Sequence, residues 1–251
     1  LPFIKGWGKG GVFFESTNYD ASWNFGWMLH GIYTATGQNY SSQIGTFAND
    51  SIMWRIFSTV PSMNRNVCIG DQSRYPEAWM WSLDRLRALN LFGIMPNTAA
   101  KQYGKDWLDK MSPNISDYAE DIVFEFLFYP EELPALSLSQ LDPYFFAEGP
   151  GLLVRRASWD PTSTYYEIWS GPNWSSHVNM DNNGFLIFKG GANKDGNDYL
   201  IGNVPGWTTW GTARNTYNHN NLMLGYFEQD WHNPHDPSTY GDRWPSDAGW
   251  V

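Results

Sequence analysis

Hydrophobic residues in the first half of the chain recur every three to four positions, which is the period of an amphipathic helix. Three such stripes consist of Phe25, Met28, Leu29 and Ile32, then of Ile44, Phe47, Ile52 and Ile56, and then of Trp79, Leu83 and Leu86. Thr98 is expected to cap a fourth helix that ends before Pro113, and Asp117 a fifth that runs to Pro130. About five helices joined by short loops are typical of stacked helical hairpins.

The pattern changes after a connector rich in Pro and Leu at residues 131–143. Short runs of β-branched and aromatic residues follow, separated by Gly, Asn, Asp and Pro, and they predict strands with tight turns. The predicted strands are residues 151–155, 165–169, 185–188, 199–201 and 222–224. We expect an antiparallel sheet that is part of a β-sandwich, followed by loop in residues 228–251.

Composition and charge narrow the class of protein. With 42% hydrophobic and 17% charged residues the chain is globular, and polar residues interrupt every hydrophobic run, so no membrane partner is expected. A net charge of -10 disfavours nucleic acid, and the single cysteine, Cys68, excludes an intrachain disulfide. Aromatic residues make up 18% of the chain, which points either to carbohydrate or to a core rich in Trp.

The first candidate for chemistry is the segment 11–19, just ahead of the first predicted helix. Glu15 and Tyr19 are four residues apart in a polar stretch at a helix entrance, so both can face a cleft. The alternative is a capping segment in which Ser16 or Thr17 caps the helix and the tyrosine is buried.

Two further candidates contain histidines that precede predicted strands. In residues 176–185, alternation places His177, Asn179 and Asp181 on one side, unless this stretch is a turn with an incidental histidine. His219, followed by Asn220, lies at the entrance to the last predicted strand. By itself this histidine is an unspecific signal.

In this order the segments resemble the heparinase II/III-like polysaccharide lyases, which pair an incomplete (α/α) toroid with an antiparallel β-sandwich. The motifs are Glu15-Ser16-x-x-Tyr19, Gly70-Asp71, Gly151-Leu152 through Arg156-x-x-Trp159, His177-x-Asn179-x-Asp181-x-x-Gly184-Phe185, and His219-Asn220. The resemblance implies an α+β multidomain chain. Residues 1–140 would be the C-terminal part of the toroid and residues 141–251 the N-terminal part of the sandwich, together a fragment of a larger chain.

The resemblance also implies β-elimination on a uronate-containing polysaccharide. Such a reaction needs neutralisation of the carboxylate, a base at C5 and an acid at the leaving oxygen on C4. Tyr19 matches the family's tyrosine acid, which is also the base for one substrate epimer, and His177 matches the histidine that assists proton transfer. The predicted substrate-binding residues are Glu15, Asn18, Arg74, Trp174, His219 and Asn220.

The sequence departs from the family pattern in two places. The family's charge-neutralising Asn or His pair lies upstream of the tyrosine, so we expect a missing N-terminal segment or a second chain to supply it. Many relatives hold a structural zinc at positions that are Asn179, Asn203 and His219 here. Two of these three positions hold neutral amides, which removes most of the affinity for zinc. The zinc ligand pattern is therefore degraded, although a structural metal stays possible, and no cofactor is expected.

The expected partner is an acidic polysaccharide, and the expected location is secreted or periplasmic. Since an acidic protein repels a polyanion at long range, a sparsely charged polymer such as alginate or an unsulphated glycosaminoglycan is favoured over heparin. Local cations must then bind the polymer, and the candidates are Arg55, Arg65, Arg74, Arg155 and Arg156.

Three alternatives to a lyase stay open. A uronyl C5-epimerase shares proton abstraction at C5 but returns the proton, and a non-catalytic glycan-binding module would bind sugar independently of Tyr19. A toroid glycoside hydrolase would need two carboxylates facing across the bond, for which Glu15 and Asp20 are the candidates.

Overall fold

A computed structural model describes residues 9–12, 22–44, 46–64, 66–67, 82–111, 119–170, 184–190 and 199–201. Its helices are α1 (Ser22–Thr36), α2 (Phe47–Phe57), α3 (Ser82–Ile94), α4 (Ala99–Lys110) and α5 (Ala119–Phe128). Its strands are β1 (Tyr144–Ala147), β2 (Leu152–Arg156), β3 (Thr164–Trp169), β4 (Gly184–Lys189) and β5 (Tyr199–Ile201). Short 3-10 helices cover Ser41–Ile44 and Leu138–Gln140. The predicted α+β class is therefore confirmed.

The helices pack in pairs around an apolar core. Helix α3 packs between α1 and α5, and α2 packs against α4. Thr98 caps α4 as predicted, since its hydroxyl accepts a hydrogen bond from the Lys101 backbone N–H, whereas Asp117 lies outside the described residues. Fully buried Trp107 joins this layer to the end of α2 by donating its indole N–H to the Thr59 hydroxyl at 2.9 Å. A closed toroid remains a prediction.

The five strands form one antiparallel sheet in sequence order, β1-β2-β3-β4-β5. Four of them confirm predicted strands within two residues, and β1 was not predicted. The predicted strand at 222–224 lies outside the described residues. One face of the sheet packs on α2, and buried side chains on that face alternate with more exposed ones along β2, β3 and β4. A second sheet, and with it the sandwich, remains a prediction.

Arg156 connects the sheet to the helices. Arg156 is the last residue of β2, and its buried side chain has 1% of its surface exposed. Its Nη2 donates hydrogen bonds to the carbonyls of Ile56 at 3.1 Å, Phe57 at 3.2 Å and Thr59. These carbonyls lie at the C-terminal end of α2, where helical partners are lacking and a positive charge is favourable. Burial lowers the pKa of the guanidinium to about 10, so it stays charged at neutral pH.

Aromatic rings surround the same guanidinium. Its central carbon lies 4.7 Å from the ring centre of Trp159, 5.1 Å from that of Tyr165 and 5.9 Å from that of Phe57. The Trp159 indole N–H donates to the Leu141 carbonyl at 2.7 Å, which fixes the connector as well. The Arg156-x-x-Trp159 motif is therefore the joint between the two halves.

No helix within the described residues is long and apolar enough to cross a membrane. The longest, α1, has 15 residues.

Candidate functional site at the helix–sheet junction

A buried apolar cluster, here called the junction cluster, lies between α2 and the inner face of the sheet. Its members are Val12, Trp54, Phe57, Val60, Val67, Ala147, Leu152, Val154, Tyr165, Trp169, Leu186 and Phe188. Three of these residues adjoin chain segments that carry the predicted site residues. They are Val12, Val67 and Trp169.

The segment that leads to Tyr19 is fixed on both sides before it leaves the junction cluster. The Ser51 hydroxyl of α2 donates to the Gly11 carbonyl at 2.9 Å, and the Gly149 N–H of the β1–β2 turn donates to the Lys9 carbonyl at 2.8 Å. Gly11 has φ +73°, and a Cβ placed on it would lie 2.1 Å from the Ser51 backbone nitrogen. Glycine is thus required where the chain passes between helix and sheet.

The segment that contains His177 leaves and re-enters the sheet at one end. In the β3–β4 register, Trp169 pairs with Gly184, and the Ser170 N–H donates to the Gly151 carbonyl at 2.9 Å. Leu152 pairs with Trp169 in the adjacent ladder. The 171–183 connection therefore begins and ends beside the β1–β2 turn, which also binds Lys9.

The described residues on either side of the segment that contains Arg74 are joined through the buried carboxylate of Asp84. The Asn66 amide donates to Asp84 Oδ2 at 2.8 Å, so residues on either side of segment 68–81 are joined. Arg55 of α2 donates to Asp84 Oδ1 at 3.1 Å, and both side chains are almost fully buried. Arg55 and Arg156 are therefore internal cations, and the expectation that they bind the polymer is wrong for these two.

The predicted site residues themselves lie outside the described residues. They are Glu15, Asn18, Tyr19, Arg74, Trp174, His177, Asn179, Asn203, His219 and Asn220. Tyr19 is seven residues from Val12, and His177 is seven from both Ser170 and Gly184. Since a chain spans at most about 3.5 Å per residue, each lies within about 25 Å of its anchor.

Sequence reasoning missed a buried carboxylate at the junction. Glu167 of β3 has no exposed surface, and the Tyr165 hydroxyl donates to its Oε2 at 2.5 Å. Its signal in the sequence is the inward series Tyr165, Glu167, Trp169, in which one charged residue occupies a core position of an alternating strand. A buried acid in this position, two residues from the strand end, faces the cluster from which the candidate segments leave.

Other polar groups of the described residues serve packing. His30, the one histidine among them, bonds through Nε2 to the Asn90 carbonyl at 2.6 Å, and burial lowers its pKa despite that bond. The Tyr129 hydroxyl donates to Asp109 and accepts from Lys105 Nζ at 3.2 Å. Burial and the bond to Asp109 raise the pKa of Tyr129, so this tyrosine is a poor base at neutral pH.

An open cleft of about 650 Å³ lies between the end of α3 and the connector. Glu131 and Glu132 line it, and both repel an acidic polymer. Lys101 also lines it, but its Nζ donates to the Phe92 carbonyl at 2.8 Å and to that of Met95 at 3.4 Å. The charge of this cleft does not suit a uronate.

Within the described ranges, no group of three or more His, Cys, Asp or Glu side chains could hold a metal ion. The degraded zinc set of Asn179, Asn203 and His219 lies outside these ranges, so the absence of a structural metal stays a prediction.

Comparison with known proteins gives a likeness of fold to solved structures. No family model matches this sequence, and no curated protein matches it. A solved structure described as a heparinase III gene product matches 81% of this chain with a TM-score of 0.51 and 17% sequence identity. The match covers 28% of that structure's chain, so the matched part of this chain spans less than a third of its length. The likeness concerns the fold, which is distantly heparinase-like.

Proposed function

We propose that this protein is a polysaccharide lyase, or part of one, that cleaves a uronate-containing polysaccharide by β-elimination. The observation that carries the proposal is the origin of three separate segments at one buried junction cluster. These segments hold the tyrosine, the histidine and an arginine that the sequence singles out, namely Tyr19, His177 and Arg74. The heparinase-like fold supports the same reading.

In the proposed reaction the C5 proton moves to a base, the C5–H electrons form the C4–C5 double bond, and the C4–O bond breaks. The leaving oxygen takes a proton from an acid. We assign the acid role to Tyr19 and assistance in proton transfer to His177, whose ordinary pKa of about 6.5 suits either direction. For Tyr19 to act as base as well, a neighbouring donor or cation must favour its phenolate, since a free tyrosine has a pKa of about 10.

The proposed substrate is a sparsely charged uronate polymer. The chain has a net charge of -10, which opposes long-range attraction of a densely sulphated polymer. Burial of Arg55 and Arg156 removes two of the five cations that the sequence offered for binding. Alginate and unsulphated glycosaminoglycans are therefore the first polymers to test.

Ultraviolet absorbance of the unsaturated uronate product tests the proposal. The wild type is incubated with alginate, hyaluronan, chondroitin, heparan sulphate and polygalacturonate, and absorbance rises with at least one of them. Tyr19→Phe lowers that rate by about 10²-fold or more, because general acid–base groups contribute about 10²–10⁴. Tyr33→Phe makes the same change at a half-exposed site on α1 and keeps the wild-type rate.

Equal rates in Tyr19→Phe and Tyr33→Phe would exclude the assigned role of Tyr19. If no polymer gives absorbance but C5 hydrogen exchanges with solvent deuterium, the protein is an epimerase instead. If a polymer binds without either reaction, the glycan-binding module is the better description.

A further inference from the structure

The face of the sheet that points away from α2 carries an ordered row of side chains. Tyr144, Arg155 and Tyr166 are direct partners in neighbouring ladders, so they lie side by side across β1, β2 and β3. Adjacent strands are about 4.8 Å apart, which spaces the row evenly. Tyr144 is 58% exposed and Arg155 is exposed. The row therefore presents a cation between two tyrosines on the outer surface.

Arg155 is the one exposed arginine of the described residues, and it has no acidic partner among them, whereas Arg156, which also lacks one, is buried against carbonyls and aromatic rings. Arg55 and Arg87 pair with Asp84, and Arg85 pairs with Glu125 through two hydrogen bonds. Arg155 forms no ion pair or hydrogen bond within the described ranges, although acidic residues outnumber basic ones by 26 to 16 in the chain. An exposed, unpaired guanidinium in an acidic protein is available to an external anion.

The surroundings of Arg155 favour a sugar acid over a simple ion. A second row beside it holds Phe146, Leu153, Ile168 and Phe185, which are 38–55% exposed. Aromatic side chains on a flat face present apolar surface to the C–H faces of pyranose rings, and tyrosine hydroxyls add hydrogen bonds. A planar guanidinium binds a carboxylate with two parallel hydrogen bonds. Together these groups complement a ring that carries a carboxylate.

We infer that the outer sheet face around Arg155 is a binding site for a uronate residue of an acidic polysaccharide, with Tyr144 and Tyr166 on either side. Leu152 lies at the end of the sheet where the His177 segment attaches. Arg155 is three residues further along β2, a separation of about 10 Å. A polymer of several sugars can span that distance. The inference rests on the proposed function and extends it, because such a site would bind a further residue of the polymer that the lyase cleaves.

Binding without cleavage tests this site. The Tyr19→Phe protein is titrated with alginate and with hyaluronan, alone and with Arg155→Ala added. We expect Arg155→Ala to weaken binding of at least one polymer by about tenfold or more, as loss of a charged hydrogen-bonded pair implies. Lys110→Ala removes the same charge from an exposed side chain of α4 and changes the affinity less than twofold. Neither change affects binding of uncharged dextran.

Equal affinities of the Arg155→Ala and Lys110→Ala proteins would overturn the inference, as would the absence of binding to either polymer. A lower unfolding midpoint in Arg155→Ala would also overturn it, since the face would then be covered by protein. Arg155-dependent binding by a wild type that cleaves nothing would support the site and reject the lyase, so the two failures are distinguishable.

Discussion

Arg156→Ala lowers the free energy of unfolding by about 3–5 kcal/mol, since each buried polar group left unsatisfied costs about 1–3 kcal/mol and a large buried side chain is lost. The substitution leaves the carbonyls of Ile56, Phe57 and Thr59 without their shared donor. It also removes the guanidinium from among three aromatic rings, and the space it vacates is enclosed, because Arg156 is 1% exposed.

Urea unfolding followed by tryptophan fluorescence measures this effect. The neighbouring Arg155→Ala is the matched control, since the same residue type is removed from the exposed face, and it changes stability by about 0.5 kcal/mol or less. Arg156→Lys keeps the charge but loses the planar fork, so its midpoint falls between the wild type and Arg156→Ala. If the two alanine variants unfold at the same urea concentration, Arg156 does not join the halves.

Gly11→Ala lowers both stability and the rate of polymer cleavage. The added Cβ would lie 2.1 Å from the Ser51 nitrogen and 2.3 Å from the Asp50 carbonyl carbon, which are backbone atoms of α2. The residue also has φ +73°, where a side chain adds strain of about 1–2 kcal/mol. With overpacking of about 1–3 kcal/mol, the expected loss is about 3 kcal/mol. Displacement of residues 9–12 moves the start of the Tyr19 segment.

Gly37→Ala is the control for this prediction. Gly37 follows the last residue of α1 and has φ +70°, but no atom lies within 4 Å of a Cβ added there. Gly37→Ala therefore adds backbone strain without a steric clash. We expect a loss of about 1 kcal/mol and an unchanged cleavage rate. The anchoring role of Gly11 is contradicted if both variants cleave polymer at the wild-type rate under conditions where they are folded.

The helices were predictable because their apolar spacing and caps agree, as at Thr98. The orientation of α5 was not, since Ile122, Val123, Phe126 and Leu127 are all more than half exposed. Apolar residues dominate the last seven positions of α5, so the pattern does not define which side packs inward.

The strands were predictable from β-branched and aromatic runs, with one exception. Strand β1 has four residues, Tyr-Phe-Phe-Ala, and lacks an alternation of apolar and polar residues. It forms a strand because it pairs with β2. Arg156 is buried and Arg155 is exposed because side chains alternate along β2, with Arg156 on the same face as Leu152 and Val154. This difference was therefore predictable from the sequence. The contacts of Arg156 with the end of α2 and with three aromatic rings join residues that are distant in the sequence, so no local pattern predicts them.

The sequence singles out the segments of Tyr19, His177 and His219 as the candidate site. The structure adds that the described residues next to the Tyr19 and His177 segments belong to one buried cluster, while the His219 segment lies outside the described residues. That these segments cooperate in one reaction is the central claim. Under this claim Tyr19 and His177 act together although they are more than 150 residues apart in the sequence.

A double-mutant cycle on cleavage rate tests this claim most directly. The rates of Tyr19→Phe, His177→Ala and the double variant are measured with the polymer that the wild type cleaves. We predict that the double variant is about as slow as the slower single variant, because residues that act as one unit show strongly non-additive effects. Rate losses that multiply in the double variant, or a single variant that cleaves as fast as the wild type, would contradict a shared site.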